Sequence, residues 1–240
     1  MISNPIHTKS AFLIWQSPLE GGGSRRRLPV ALMCANDDST GVSFRYLRDT
    51  SDFETALSEG FQGYTGIPLD REDTSDAINT LGRRLPNSER ADYVEFLNRF
   101  GLSPENNLPT LSLLAYTGAK LTSDSFSVAD TFEGFDHSFQ YIFDVAGRRH
   151  NFDATPSPQK GDAVSFCPEP ENPHDPHAIA LRDDDGNRLG YVNTCQAAAV
   201  NTWLANGSIS GEVFRVNGRT SYPRLFVIAA IEPSLASKVA

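Results

Sequence analysis

Cys167-Pro168-Glu169-Pro170-Glu171-Asn172-Pro173-His174-Asp175-Pro176-His177-Ala178-Ile179-Ala180-Leu181-Arg182-Asp183-Asp184-Asp185-Gly186-Asn187-Arg188-Leu189-Gly190-Tyr191-Val192 is the stretch on which the reading of this chain turns. Its first half interleaves four prolines with polar residues. Proline locks φ and lacks a backbone donor, and it pushes the preceding residue toward extended geometry, so a stiff extended loop is expected rather than a helix. The second half holds two short apolar runs around Asp185-Gly186, the pattern of a β-hairpin. A rigid polar loop is thus delivered onto a hairpin, and Asn172, Asp175 and His177 are held at fixed spacing at its mouth.

Outward from this stretch, Phe139, Tyr141 and Phe143 alternate, and Gly161 to Phe166 reads as a short strand. Asn193 or Thr194 caps an alanine-rich helix over Ala197 to Leu204, and Ile209 to Val216 and Leu225 to Ile231 read as two last strands. Several short strands with one helix over residues 138–235 predict a small β-barrel of OB type.

Toward the N-terminus, Ile6 to Trp15, Leu28 to Cys34 and Val42 to Leu47 read as three strands of a small antiparallel sheet. Helices are expected over Ser51 to Phe61, Asp76 to Leu85, Glu89 to Phe100 (capped by Ser88) and Pro109 to Tyr116 (closed by Gly118). Their aromatic stripes are read as core. Gly21 to Arg27 lacks the Lys-Ser/Thr of a phosphate-binding loop and reads as a hairpin connection. The fold class is therefore α+β: a sheet with helices over residues 1–125, a polar linker over 126–137, and the barrel over 138–235.

Composition narrows the function. The chain has 240 residues, 39% of them hydrophobic, and a formal net charge of −9. That charge argues against wrapping long duplex nucleic acid, which rests on many phosphate contacts. It is unevenly spread: from Ser138 onward nine Lys and Arg face eleven Asp and Glu, so a short end-specific contact is compatible there. No apolar run is long enough to span a membrane, and residues 1–10 lack a signal-peptide pattern. Three cysteines are too few for a disulfide framework, which places the chain in a reducing compartment, the cytoplasm.

The motif E-P-x-N-P-x-D-P-x-A-I-A-[VL], followed by G-x-x-[LV]-G-Y-V, resembles the signature of the HIRAN domain, with Glu169, Asn172, Pro173, Asp175, Ala178, Ile179, Gly190, Tyr191 and Val192 matching in order and spacing. The resemblance implies a compact barrel with a helix on its side that binds the 3′ end of single-stranded DNA through the free terminal hydroxyl. A carboxylate suits such recognition, because it accepts a short charge-assisted bond from an O–H and repels a phosphate in the same place. The resemblance assigns this role to Asp175, with Asn172 supporting the terminal nucleotide and Tyr191 near a phosphate. The nucleic-acid-binding set is completed by His174 and by Arg149, His150 and Phe152.

The chain departs from the family where eukaryotic members carry a basic residue and two stacking tyrosines. Arg149 keeps the cation, His150 stacks less well, Asn151 does not stack, and Phe152 stands in one position late. Thr194 replaces a phosphate-contacting Lys. Beside this reading, Asn172 and Asp175 simply shape a proline-rich turn, and Tyr191 is a barrel residue. A metal site at His174, His177, Asp175 and Cys167 matches no common zinc spacing, and no motif sets a base beside Cys167 or Cys195, so neither a metal, a cofactor nor catalysis is expected.

Residues Val42 to Phe126 resemble the N-terminal subdomain of the HipA family of kinase-like toxins, through Ser43-Phe44-Arg45-Tyr46, Gly66-Ile67-Pro68-Leu69, Gly82-Arg83-Arg84-Leu85-Pro86 and Leu113 to Ala119. The kinase lobes have no counterpart, so this implies an accessory or antitoxin-like role. The expectation is a non-enzymatic protein that senses DNA 3′ ends, with a kinase-like toxin or a phage-defence subunit as protein partner. The alternative is an interaction adaptor whose barrel no longer binds DNA.

Overall fold

The computed structural model describes residues 1–18, 26–36, 41–71, 74–134, 137–147, 157–219 and 222–233. They fall into two compact units, residues 7–134 and residues 1–6 with 135–240.

In the first unit, β1 (Ser10–Gln16), β2 (Arg27–Ala35), β3 (Val42–Tyr46) and β6 (Phe126–Asp130) form an antiparallel sheet in the order β3-β2-β1-β6. The sheet is covered by α1 (Ser51–Ser58), α2 (Ala77–Gly82) and α4 (Thr110–Thr117); a two-stranded β4 (Gly63–Tyr64) and β5 (Ile67–Pro68) lies between α1 and α2 in the chain, and α3 (Tyr93–Asn98) between α2 and α4. The Thr50 hydroxyl caps α1 by accepting from the Phe53 amide at 3.2 Å, and Gly118 ends α4 in the left-handed conformation. Trp15, Phe44, Phe53, Phe61 and Tyr64 are buried between sheet and helices. Phe61 packs edge-on against Phe53 and Phe126. Phe53 and Phe61 are core, as their spacing predicts, but Leu57 between them is 44% exposed. The stripe of α3 is core only in part: Leu97 is buried, whereas Tyr93, Phe96 and Phe100 are half-buried, because that helix lies at the margin of the core cluster.

Three differences from the sequence reading change how the units are built. Residues 126–130 are not linker: they form β6, paired with β1 from Ala11↔Asp130 to Trp15↔Phe126. The cause is Arg84, buried and forked onto Asp124 at 2.6 and 2.8 Å, which also donates to the carbonyls of Ala119 and Phe126 and so pins the start of that strand. The third helix begins at Tyr93, with Asp92 rather than Ser88 at its N-cap, since Asn87 ties Glu89 and Arg90 into a turn first. Residues 1–6 pack with the C-terminal unit, where Ser3 donates to the Gln140 side chain and Asn4 accepts from the Gln140 amide.

The second unit is a six-stranded antiparallel sheet of β7 (Phe139–Asp144), β8 (Ala163–Pro168), β9 (Ile179–Arg182), β10 (Arg188–Tyr191), β11 (Gly207–Arg219) and β12 (Tyr222–Pro233), in the order β10-β9-β8-β11-β12-β7. It curls until its two outer strands meet: Ala146, just past β7, exchanges backbone hydrogen bonds of 2.8 and 2.9 Å with Tyr191 on β10. Phe139, Phe143, Phe166, Ile179, Leu181 and Val213 fill the interior. Helix α5 (Thr194–Asn206), capped by the Asn193 side chain, packs Trp203 edge-on against Phe139. This is the predicted OB-like barrel in half-closed form, with β11 and β12 running well beyond their apolar cores as a long ribbon.

Candidate nucleic-acid interface

The loop from Glu169 to Ala178 joins β8 to β9 and closes on itself, with the Glu169 amide donating to the Ala178 carbonyl at 2.8 Å. Within it Asn172 and Asp175 each have a backbone to hold. The Asn172 side-chain oxygen accepts from the amides of His174 (3.0 Å) and Asp175 (3.4 Å). Oδ1 of Asp175 accepts from the His177 amide at 2.8 Å. These are the side-chain-to-backbone turns that Asn and Asp favour between prolines. Both residues do therefore shape the turn. That duty uses only one oxygen of Asp175: no hydrogen bond to Oδ2 occurs among the described residues, and the side chain is half-exposed. His174 and His177 are exposed, and the His177 carbonyl accepts from Asn201 of α5 at 3.0 Å.

The loop is anchored by a residue to which the sequence reading gave no role. Glu169 accepts from Arg182 at 2.7 Å through one oxygen, and from Asn172 at 3.1 Å and the Tyr191 hydroxyl at 3.0 Å through the other. Arg188 donates to that hydroxyl at 2.7 Å and lies 5.2 Å from the Tyr191 ring centroid. Burial alone would raise the Glu169 carboxyl, but the bonds from Asn172, Tyr191 and Arg182 together hold it below the usual carboxylate range. Burial and the Glu169 carboxylate push the Tyr191 hydroxyl up. Tyr191 is thus neither simply core nor a free phosphate contact. It is a half-buried strut whose ring lies in the barrel wall and whose hydroxyl fixes the loop. Glu169 stood in the motif, but its partners lie 13 and 22 residues away, across β9 and β10.

The arrangement brings together Asn172, Asp175, His174 and Tyr191. Arg149, His150 and Phe152 lie outside the described residues. Thr194 is the exposed first residue of α5. Among the described residues no group of three His, Cys, Asp or Glu is placed to hold a metal ion, and the three cysteines are free thiols. No described helix is long and apolar enough to cross a membrane.

A curled six-stranded sheet with a side helix and a proline-stiffened acidic loop defines the C-terminal unit as a small half-closed β-barrel. The family model described as the HIRAN domain matches residues 130–228, so that segment is a HIRAN domain. No curated protein matches the chain. Among solved structures it is similar to the crystal structure of the HIRAN domain of human HLTF, at 20% identity over 45% of this chain and 87% of that one, with a TM-score of 0.35. It is similar also to the NMR structure of the HLTF HIRAN domain in its DNA-bound conformation, at 22% identity over 40% and 77%, with a TM-score of 0.30. A protein from Lactobacillus plantarum matches at 19% identity over 38% and 92%, with a TM-score of 0.29.

Proposed function

We propose that the C-terminal unit is a non-catalytic sensor of the 3′ end of single-stranded DNA. The observation that carries the reading is Asp175, fixed by its Oδ1 bond to His177 in a loop that Glu169 anchors, with Oδ2 uncommitted at the loop's mouth. Such an oxygen accepts from a terminal 3′-hydroxyl and repels a phosphate, so a strand that continues is turned away. The HIRAN family match over residues 130–228 supports the choice of ligand, and one member of that family, the HLTF HIRAN domain, has been solved in a DNA-bound conformation. Arg149, His150 and Phe152 would supply the backbone cation and the stacking surface. The modest charge of the C-terminal half fits a contact with one end better than a track along a duplex.

The N-terminal unit is read as the protein-contact half. Its sequence likeness to the N-terminal subdomain of HipA-type toxins supports an accessory role beside a kinase-like toxin or a defence-complex subunit in the cytoplasm.

The test is fluorescence anisotropy with a short labelled single strand ending in either a 3′-hydroxyl or a 3′-phosphate. The wild type is expected to prefer the hydroxyl by about tenfold, the ratio that about 1.4 kcal/mol produces. Asp175→Asn keeps an acceptor for the His177 amide while removing the charge, and should bind both ends alike. Equal binding of the two ends by the wild type would defeat the end-sensing reading, and no binding at micromolar protein would leave an adaptor.

A further inference from the structure

The first unit carries a cleft of about 360 Å³ lined by Arg83, Arg84, Arg90 and Arg99, with Asp92 and Phe96. This is a local inversion of charge: residues 7–134 hold twelve Lys and Arg against eighteen Asp and Glu, and four of the twelve face one hollow. The four are not equivalent. Arg84 is buried and committed to Asp124, Tyr64 and two carbonyls, so it is part of the frame. Arg90 is forked onto Asp92 at 2.9 and 2.8 Å, and Arg99 is paired with Glu95 at 2.5 Å, but all four of these side chains are more than half exposed. Ion pairs of that kind are worth about 0–1 kcal/mol and exchange readily for a better partner. Arg83 is exposed and has no hydrogen bond or ion pair from its side chain among the described residues.

We propose that this cleft binds a compact phosphate-bearing ligand with at least two negative charges, such as the diphosphate group of a nucleotide or free pyrophosphate. Guanidinium forks match pairs of phosphate oxygens, and three of them converging favour a multiply charged group over a single carboxylate. The volume lies at the small end of the range for ligand pockets, and half-buried Phe96 gives the hollow one apolar wall. Arg84 contributes a fixed floor that keeps residues 83 and 85 in place beside it. The proposal is independent of DNA-end sensing, since every lining residue lies in the other unit.

The experiment is isothermal titration of the full chain at low ionic strength with pyrophosphate and, separately, with ADP. Saturable sub-millimolar binding is expected, weakened at least tenfold by Arg83→Ala and by Arg99→Ala. Arg45→Ala, an exposed arginine on β3 outside the cleft, should leave it unchanged. Far-UV circular dichroism of the three surface variants checks that each is folded. ADP binding at least tenfold tighter than pyrophosphate identifies a nucleotide as the occupant, and equal binding identifies the phosphate group alone. Absence of saturable binding to both probes overturns the proposal, as does an equal loss with Arg45→Ala.

Discussion

Two carboxylates in this chain show how surroundings decide what the same group does. Glu169 collects three donors and stays charged, which turns it into a fixed anchor for the loop. Asp130, at the end of β6, is fully buried; its donors are the Thr8 hydroxyl at 2.6 Å and the Phe132 amide at 2.7 Å, both neutral. Burial outweighs those two bonds and raises its carboxyl to about 6. The folded protein therefore holds this proton where the unfolded chain has already released it, so stability falls as pH rises from near 3.8 to about 6 and stays lower above. Asp130→Asn keeps an acceptor for Phe132 and a partner for Thr8 without the buried charge. It should match the wild type at pH 4 and exceed it at pH 7.5 by an amount on the order of 1–3 kcal/mol, the upper end being the full shift converted at about 1.36 kcal/mol per pH unit. Urea midpoints followed by Trp15 fluorescence in a Trp203→Phe background at several pH values measure this, and a pH-independent difference between the two proteins would contradict it.

At the scale of elements, the closure of the second sheet depends on a close backbone approach at Gly190. Its φ is +149°, and a Cβ there would come within 2.5 Å of both the Ala146 carbonyl oxygen and Val145 Cγ1. Gly190→Ala must open the bridge between Ala146 and Tyr191, and is expected to cost about 2–4 kcal/mol. Gly186 in the hairpin turn also has positive φ, at +81°, but meets nothing within 4 Å, so Gly186→Ala should cost only about 1 kcal/mol. Hydrogen exchange checks the difference: the amides of Ala146 and Tyr191 should lose protection in the first variant and keep it in the second. The hairpin itself was legible in Asp185-Gly186 between two aliphatic runs, and so were β7 in its alternating aromatics and the fixed spacing of Asn172 and Asp175 in their prolines. Strand β6 was not, because Ser127 to Asp130 carries no alternation, and it becomes a strand through pairing with β1, far away in sequence, and through Arg84 reaching Asp124. The role of Glu169 was hidden for the same reason. Local pattern announces an element, whereas a partner supplied by another strand leaves no mark on the residue that needs it.

The same limit operates on the whole molecule, one of whose two units is not contiguous in sequence. Residues 1–6 belong with 135–240, so the chain contributes its first residues to the barrel unit before building the other unit. Ser3 and Asn4 hydrogen-bond Gln140, and Asn4 also bonds the Ser138 carbonyl, at the start of β7; Ile2 and Ile6 are buried. Burying an isoleucine contributes about 1.5–3 kcal/mol, so removing residues 1–6 should destabilise the HIRAN unit by several kcal/mol even though the family match begins at residue 130. The two tryptophans make this measurable, since Trp15 lies on β1 of one unit and Trp203 on α5 of the other. In a Trp15→Phe background, thermal unfolding reports the barrel unit alone, and deletion of residues 1–6 should lower its midpoint by at least about 12 °C, given about 3 kcal/mol or more from the two isoleucines and about 4–8 °C per kcal/mol for a domain of this size. In a Trp203→Phe background the same deletion should leave the midpoint within about 2 °C, since surface changes away from a unit's core are nearly neutral. Equal shifts in both backgrounds would mean that the first residues serve the chain as a whole and not the barrel.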